Sequence, residues 1–199
     1  MRIRIDNTLR RIFYRRRVTR GFIAIVSLLF SMAVYSQEEA TTSILELSPG
    51  IGYYNFDADR HLDNEPMVAM GFGLHTLSRR WAFILNYSAL RTTRNENGLS
   101  QIVAVKKYHV DAYRFFNTEH HLRPYLVGGI GGIDLDSDDN VRNDNQDLVN
   151  AGLGLYYRIT PKWSVRGDWR IFAVYSDNYV DNALTLTLGF RLKEGEHGD

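Results

Sequence analysis

Cysteine is missing from all 199 residues of the chain. Disulfides therefore contribute nothing to its stability, and cysteine nucleophiles and cysteine-ligated metal sites are excluded. Proline is scarce, with 4 residues, and no proline- or serine-rich linker divides the chain after residue 36. The same part of the sequence contains no run of about 18 apolar residues, the length that a membrane-spanning helix needs. Any insertion of this part into a membrane would have to occur as a closed β-barrel.

The first 36 residues differ from the rest in charge and hydropathy. Met1–Arg20 contains eight arginines and one acid, Asp6, and Gly21–Val34 is an uncharged run of 14 residues that is apolar apart from Ser27 and Ser31. This pattern is typical of a signal peptide, and we place its cleavage after Ser36; an uncleaved signal anchor is the alternative. Without residues 1–36, Lys+Arg falls from 24 to 16 and Asp+Glu from 23 to 22. The remaining chain is acidic, so nucleic-acid binding is not expected.

Apolar and polar residues alternate in eight segments after a short lead-in at residues 37–43. A period of two predicts β-strands, and most segments are long enough to cross a bilayer as tilted strands. The predicted strands are Ile44–Phe56, Met67–Leu77, Trp81–Arg91, Gln101–Phe116, His121–Ile133, Leu148–Ile159, Trp163–Tyr175 and Ala183–Lys193. They define a single predicted domain at residues 44–193, followed by a tail at residues 194–199.

The connections between these segments alternate in length. Those after strands two, four and six are short (SRR, NTEH and TPK). Those after strands one, three, five and seven are longer and polar (DADRHLDNE, TTRNENGLS, DSDDNVRNDNQD and SDNYVDN). Short turns at one end and long loops at the other are typical of bacterial outer-membrane barrels. The sequence therefore predicts an all-β fold, an eight-stranded antiparallel up-and-down transmembrane β-barrel with its long loops outside the cell.

Glycine clusters on the strand face that also carries the charged side chains. Gly50 and Gly52 share a face with Glu46, and Gly129 shares one with Arg123. The interior of a narrow barrel needs small residues, whereas glycine weakens an exposed strand. We therefore place the charged face inside the barrel and the apolar face against lipid. A soluble lipocalin-like barrel, with the opposite facing, is the alternative.

The assigned facing of the strands predicts an ion-pair network in the lumen and an aromatic girdle on the outer surface. In the segment SVRGDWRIF, charge recurs at every second position and points into the lumen, where buried charges need partners. The predicted lumen ion-pair network comprises Glu46, Lys107, Asp111, Arg123, Arg166, Asp168 and Arg170. Of these, Glu46, Asp111, Arg123 and Arg166 are expected at a similar depth, with the other three higher. The predicted aromatic girdle at the strand ends comprises Tyr53, Trp81, Tyr87, Phe116, Tyr157, Trp163 and Phe190.

Three segments resemble a known family. PGIGYYNFD (Pro49–Asp57), KKYHVDAYRFF (Lys106–Phe116) and LRPYLVGGIGG (Leu122–Gly132) are similar to the N-terminal transmembrane barrel of OmpA/OprF-type outer-membrane proteins. The resemblance covers about residues 44–193 and implies a salt-bridged lumen plug, onto which Glu46, Arg123, Arg166 and Asp168 are carried over by topology. Proteins of this type usually continue into a peptidoglycan-binding domain. Here only the tail follows, so wall tethering is not implied.

Two functions remain open at this point. The first is a structural or surface-interaction role in the cell envelope, with a plugged lumen; the second is a narrow, porin-like passive channel for ions or small solutes. An outer-membrane lipid hydrolase is a further alternative, but neither His75 nor His109 has a serine two residues away. We expect no catalytic residue, cofactor or metal site. The expected partners of this monomer are outer-membrane lipid, lipopolysaccharide and the outer-membrane insertion machinery.

Overall fold

The computed structural model describes residues 44–76, 79–96, 99–137, 143–175 and 179–192. The predicted signal peptide, lead-in and tail lie outside the described residues. Eight antiparallel strands close into an up-and-down barrel in which β8 pairs with β1, which confirms the predicted fold class. They are β1 Ile44–Asn55, β2 Glu65–His75, β3 Trp81–Glu96, β4 Leu99–Phe115, β5 Leu122–Ser137, β6 Asn143–Arg158, β7 Trp163–Val174 and β8 Tyr179–Arg191, with a 3₁₀ turn at Ala58–Arg60. Within the described part of the chain, no helix is long and apolar enough to span a membrane.

Burial alternates along every strand with the facing that the sequence predicts. On β7, Arg166, Asp168 and Arg170 are buried, whereas Trp169 is 43% and Ile171 38% exposed. The outward face carries a continuous set of exposed apolar side chains, here called the apolar belt. It includes Ile51, Val68, Met70, Phe72, Phe83, Leu85, Leu126, Ile130, Leu153, Leu155, Leu184, Leu186 and Leu188. Such a surface suits lipid, and the glycine-rich, charged face lines the lumen.

Strands β3 to β6 are longer than the alternation predicts. The β3–β4 ladder continues to the pair Glu96–Leu99, so most of the loop expected at residues 92–100 is strand. The sequence between these two residues is Asn97-Gly98, the dipeptide preferred in two-residue hairpin connections. Likewise, β5 and β6 pair as far as Asp136 and Asn143. We refer to this end of the barrel as the loop end, and to the opposite end, where β2–β3, β4–β5 and β6–β7 connect, as the turn end.

The apolar side of the wall changes from outside to inside towards the loop end. Beyond the apolar belt, many outward positions are polar, although Ile102 and Val180 also face outward there. The polar ones include Asn55, Arg91, Lys106, Asp134, Asp147 and Asn182. At this height the interior is an apolar packing of buried side chains, here called the outer cluster. It contains Tyr54, Phe56, Leu62, Met67, Leu90, Val103, Val105, Ile133, Leu135, Leu148, Phe172, Val174 and Ala183. The loop end therefore resembles a small soluble barrel set on a membrane barrel.

A second packing of buried apolar side chains, the inner cluster, fills the turn end. It is mainly aromatic and contains Ala82, Ile84, Tyr113, Phe115, Tyr125, Val127 and Tyr156. Phe115 lies 5.4 Å from both Tyr125 and Tyr156, measured between ring centroids. The charged side chains of the lumen lie within and between these two clusters, which position them.

Candidate functional site in the barrel lumen

The centre of the lumen is organised by Arg170, which reaches from β7 to β4. Its guanidinium donates hydrogen bonds to Asp168 on its own strand, and to Asp111 and the Tyr113 hydroxyl across the bore. Asp168 and Arg170 face the same way because residues two apart on a strand share a face. The remaining oxygen of Asp168 accepts a hydrogen bond of 2.9 Å from Tyr125 on β5. Arg170 thus links β7 to β4 directly, and Asp168 extends the network to β5.

Asp111 is the most connected carboxylate in the described lumen. Besides Arg170, it accepts hydrogen bonds from Asn86 at 2.7 Å and Asn150 at 2.9 Å, and His109 Nδ1 lies 2.9 Å from both its oxygens. Asp111 is fully buried, and this set of donors replaces the water that the carboxylate loses. Gly129 lies opposite on β5, where a Cβ atom would overlap an Asp111 oxygen. The pairing of β4 with β5 therefore explains why residue 129 is a glycine.

A separate group forms around Glu46 on β1. Its carboxylate lies 3.1 Å from His75 Nε2 and accepts a hydrogen bond of 2.9 Å from the Ser48 hydroxyl. Arg166 NH1 is 3.7 Å away, an ion pair without a hydrogen bond. The Arg166 guanidinium also lies 4.8 Å from the Tyr113 ring centroid, a distance at which a cation is attracted to the ring face. Tyr113 therefore separates this group from the one centred on Arg170.

All seven residues of the predicted network are buried in the lumen, but the structure divides them differently. Asp111 lies with Arg170 and Asp168, whereas the sequence predicted it at the depth of Arg123. Arg123 is at the turn end, where its Nε donates to the His120 carbonyl at 2.9 Å. Counting positions from the strand ends does not predict this grouping, because side chains reach across the bore between strands that are offset along the barrel axis.

Lys107 and Arg123 lie in no ion pair among the described residues, which differs from the expected network. Lys107 Nζ sits 3.7 Å from the ring centroid of Tyr54 and 4.0 Å from that of Phe172. Its side chain extends into the outer cluster, where it lies against these two aromatic faces. Arg123 instead packs 5.9 Å from the Tyr156 ring.

Sequence reasoning missed a polar lid at the loop end. Arg60, in the 3₁₀ turn after β1, folds into the barrel mouth, donates to Gln146 at 2.9 Å and lies 3.5 Å from Asp181 on β8. Asp181 also accepts from the Tyr54 hydroxyl at 2.8 Å and from the Asp57 amide at 2.9 Å. Strand alternation carries no signal for a loop arginine that turns inward, so the sequence could not show it.

The lid is anchored by Asp57, whose side chain caps the turn. One carboxylate oxygen accepts from the Asp59 amide at 3.1 Å, and the other accepts from the Val180 amide of β8 at 2.9 Å. The Val180 and Asp59 amides hold the pKa of Asp57 below its usual value. The lid is therefore bonded to the barrel wall most firmly when Asp57 is ionised.

The residues of the predicted girdle lie on the outward face. Tyr53, Trp81, Tyr87, Phe116, Tyr157 and Trp163 are exposed large side chains. Phe190 is half-buried because its ring packs 4.7 Å from that of Trp163. Trp81 also carries the Arg114 guanidinium 5.0 Å from its ring centroid, an arrangement that suits the boundary between apolar chains and water.

A closed eight-stranded barrel with an apolar outer belt and a polar interior defines the protein as a transmembrane β-barrel. The family of outer membrane protein beta-barrel domains matches residues 22–191. The chain therefore belongs to this family of outer-membrane barrels, which confirms the class inferred from its resemblance to OmpA/OprF-type proteins. No curated protein sequence matches it significantly.

Solved structures show the same fold at low sequence identity. Neisserial surface protein A, NspA, shares 12% identity with a TM-score of 0.57 over 74% of this chain and 97% of that one. OprG from Pseudomonas aeruginosa shares 8% identity with a TM-score of 0.57 over 77% and 98%. Ail of Yersinia pestis shares 17% identity with a TM-score of 0.50 over 75% and 99%. At these identities the likeness concerns the fold alone.

Proposed function

We propose that this protein is a structural and surface-interaction barrel of the cell envelope whose lumen is closed to solutes. The observation that carries this proposal is the bridge from Arg170 to Asp168, Asp111 and Tyr113 across the bore, between the two packed clusters. A lumen cavity of about 30 Å³ remains beside it. That is room for only a few waters, since one needs roughly 10–15 Å³ on this measure.

The surface-interaction role rests on the loop end. There β3 to β6 extend beyond the apolar belt, with outward polar side chains that include Arg91 and Lys106. A hydrated, rigid sheet edge above the membrane can present contacts to molecules outside the cell, and its basic residues suit the phosphates of lipopolysaccharide. We propose lipopolysaccharide and outer-membrane lipid as partners of a monomeric barrel. Export would use the predicted signal peptide, and insertion the outer-membrane machinery.

A non-enzymatic role fits the lumen histidines. His75 and His109 each contact a carboxylate, Glu46 and Asp111 respectively. Within the described ranges, neither imidazole has a hydrogen bond to a serine hydroxyl, which a serine hydrolase would require. Ser48 instead donates to Glu46. These contacts favour a structural use of both histidines.

Planar-bilayer conductance tests the closed lumen. The unmodified barrel should show conductance close to the bare bilayer, and Arg166→Ala combined with Arg170→Ala should raise it because the bridge across the bore is lost. Arg91→Ala, on the outward face, is the matched control and should leave conductance unchanged. A substantial conductance in the unmodified barrel would refute the proposal and favour a narrow passive channel.

A further inference from the structure

Arginines from four separate elements lie together at the turn end of the lumen. Arg123 is near the start of β5, Arg158 and Arg191 end β6 and β8, and Arg79 lies in the connection between β2 and β3. The charges of Arg158, Arg79 and Arg191 all act on Arg123, so the four guanidinium groups repel one another across this end of the bore. These four residues are here called the basic mouth.

Two members of the basic mouth are held by neutral groups only. Arg191 donates to the Tyr156 hydroxyl at 2.7 Å and to the Pro161 carbonyl at 3.2 Å, and its Nε has no hydrogen-bond partner among the described residues. Arg123 donates to the His120 carbonyl and packs 5.9 Å from the ring centroid of the same Tyr156. Both arginines are more than nine-tenths buried, and neither contact neutralises their charge.

The nearest described acids do not supply the missing counter-charge. Glu46 stands directly opposite Arg191 in the pairing of β1 with β8. Its two oxygens nevertheless face His75 at 3.1 Å and Arg166 at 3.7 Å. Glu119, in the turn between β4 and β5, is exposed, and no ion pair joins it to the basic mouth within the described ranges. Because buried cations without a counter-charge are costly, the basic mouth requires carboxylates from elsewhere.

The segment that follows β8 carries charge of the required sign. The Leu192 amide donates to the Leu45 carbonyl at 2.9 Å, so the chain leaves the barrel wall beside β1 at the turn end. Residues 194–199 have the sequence EGEHGD, with three acids and no lysine or arginine. This acidic segment therefore begins next to the basic mouth.

The segment is also long enough to cross the basic mouth. Glu196 is five residues after Arg191, and an extended chain of that length spans up to roughly 17 Å. Arg158 and Arg123 are on β6 and β5, two and three strands from β8 in the closed sheet. At about 4.8 Å between neighbouring strands, three steps amount to roughly 14 Å. A carboxylate of the segment can therefore reach each of these arginines.

We propose that residues 194–199 bind across the basic mouth, with Glu194, Glu196 and Asp199 as the carboxylate partners of its arginines. A peptide with several carboxylates suits this surface better than one small ion, because the four arginines project from four separate elements. Bound in this position, the segment covers the turn end of the lumen. The contact is distinct from the closure at Arg170, so it can fail while the closed lumen stands, and the reverse also holds.

Electron paramagnetic resonance of a single nitroxide tests this contact in the folded barrel in lipid vesicles. Because the chain lacks cysteine, His197→Cys creates one labelling position, and a bound segment should give an immobilised spectral component. Arg123→Gln combined with Arg158→Gln should remove that component. Arg80→Gln, at an exposed position of the same end, is the matched control and should retain it.

A second set of variants leaves the barrel itself unchanged. Glu196→Gln combined with Asp199→Asn should also release the label, whereas Glu38→Gln combined with Glu39→Gln, before β1, should not. A mobile label in the unmodified barrel, or an immobilised component that persists after the segment is neutralised, overturns the proposal. So does release of a nitroxide at Ala40→Cys, rather than at residue 197, by the double arginine variant, because the residues before β1 would then occupy the basic mouth.

Discussion

Replacing Gly129 by alanine should destabilise the barrel far more than the same change at Gly128, its neighbour on β5. Gly129 faces the lumen, where the new Cβ would overlap Asp111 Oδ1 and the Val110 carbonyl and lie 3.0 Å from Asn150 Nδ2. At Gly128, which faces outward, the only neighbour is the Asn150 carbonyl at 3.7 Å. The two positions therefore differ only in the side of the wall that they face.

The expected loss in the free energy of unfolding depends on which groups must move when Gly129 becomes alanine. The overlap with the Val110 carbonyl forces the backbone at residue 129 to shift, and the overlap with Asp111 moves that carboxylate and weakens its bonds to Arg170, Asn86 and Asn150. Overpacking alone costs about 1–3 kcal/mol, and separating a buried ion pair costs about 3–5 kcal/mol. We expect a loss of roughly 2–4 kcal/mol for Gly129→Ala. For Gly128→Ala we expect a change between zero and a gain of about 1 kcal/mol, because alanine restricts the unfolded chain.

Urea unfolding of the two variants in lipid vesicles, followed by tryptophan fluorescence, measures this difference. Trp81, Trp163 and Trp169 lie on the outward face, so their emission reports the loss of contact with lipid. Equal destabilisation by the two alanines, or a larger effect at Gly128, would contradict the assigned facing of the strands and the reasoning built on it.

Three further outcomes are expected. Tyr125→Phe removes the hydrogen bond to Asp168 and should lower the free energy of unfolding by about 1.5–3 kcal/mol in the same urea assay; no change would mean that water replaces the hydroxyl. Because the pKa of Asp57 is lowered in the folded state, its stabilisation of the lid should be complete above the pKa of the unfolded chain and should disappear as pH falls through the folded value. Amide hydrogen exchange at Val180, corrected for the intrinsic pH dependence, checks this, and Asp57→Asn should exchange like the acidified protein at all pH values. Lys106→Ala breaks an exposed ion pair and should cost less than about 1 kcal/mol; a larger loss would show that the extended strands depend on it.

The facing of each strand was predictable because it depends on a two-residue period that the sequence displays directly. Glycine on the same strand face as charge, as with Gly129 and Arg123, indicates the crowded side of the wall before any contact is known. Contacts across the bore were not predictable in the same way. Asp111 bonds to Asn86, Asn150 and Arg170, which are 25, 39 and 59 residues away in sequence. Which of them meet depends on how the strands are staggered when the barrel closes, and alternation does not encode that stagger.

The predicted strand lengths were wrong for a related reason. The third strand was predicted to end at Arg91, where the polar segment TTRNENGLS begins. The ladder instead continues to Glu96, since water outside the membrane accepts polar side chains on the outer face while the lumen stays apolar. The lid was missed because Arg60 and Asp181 lay in segments interpreted as solvated loops, and nothing local shows that they pair.

The collar of polar residues above the apolar belt has a consequence for how the barrel is held in place. Arg91 and Lys106 face outward there, on neighbouring strands. Sliding the barrel along its axis would drag this collar into hydrocarbon, where each Arg or Lys costs about 2–4 kcal/mol at the midplane. The collar must cross that barrier once, during insertion, and afterwards the same barrier opposes its return. The same residues therefore oppose any change in the depth of the inserted barrel.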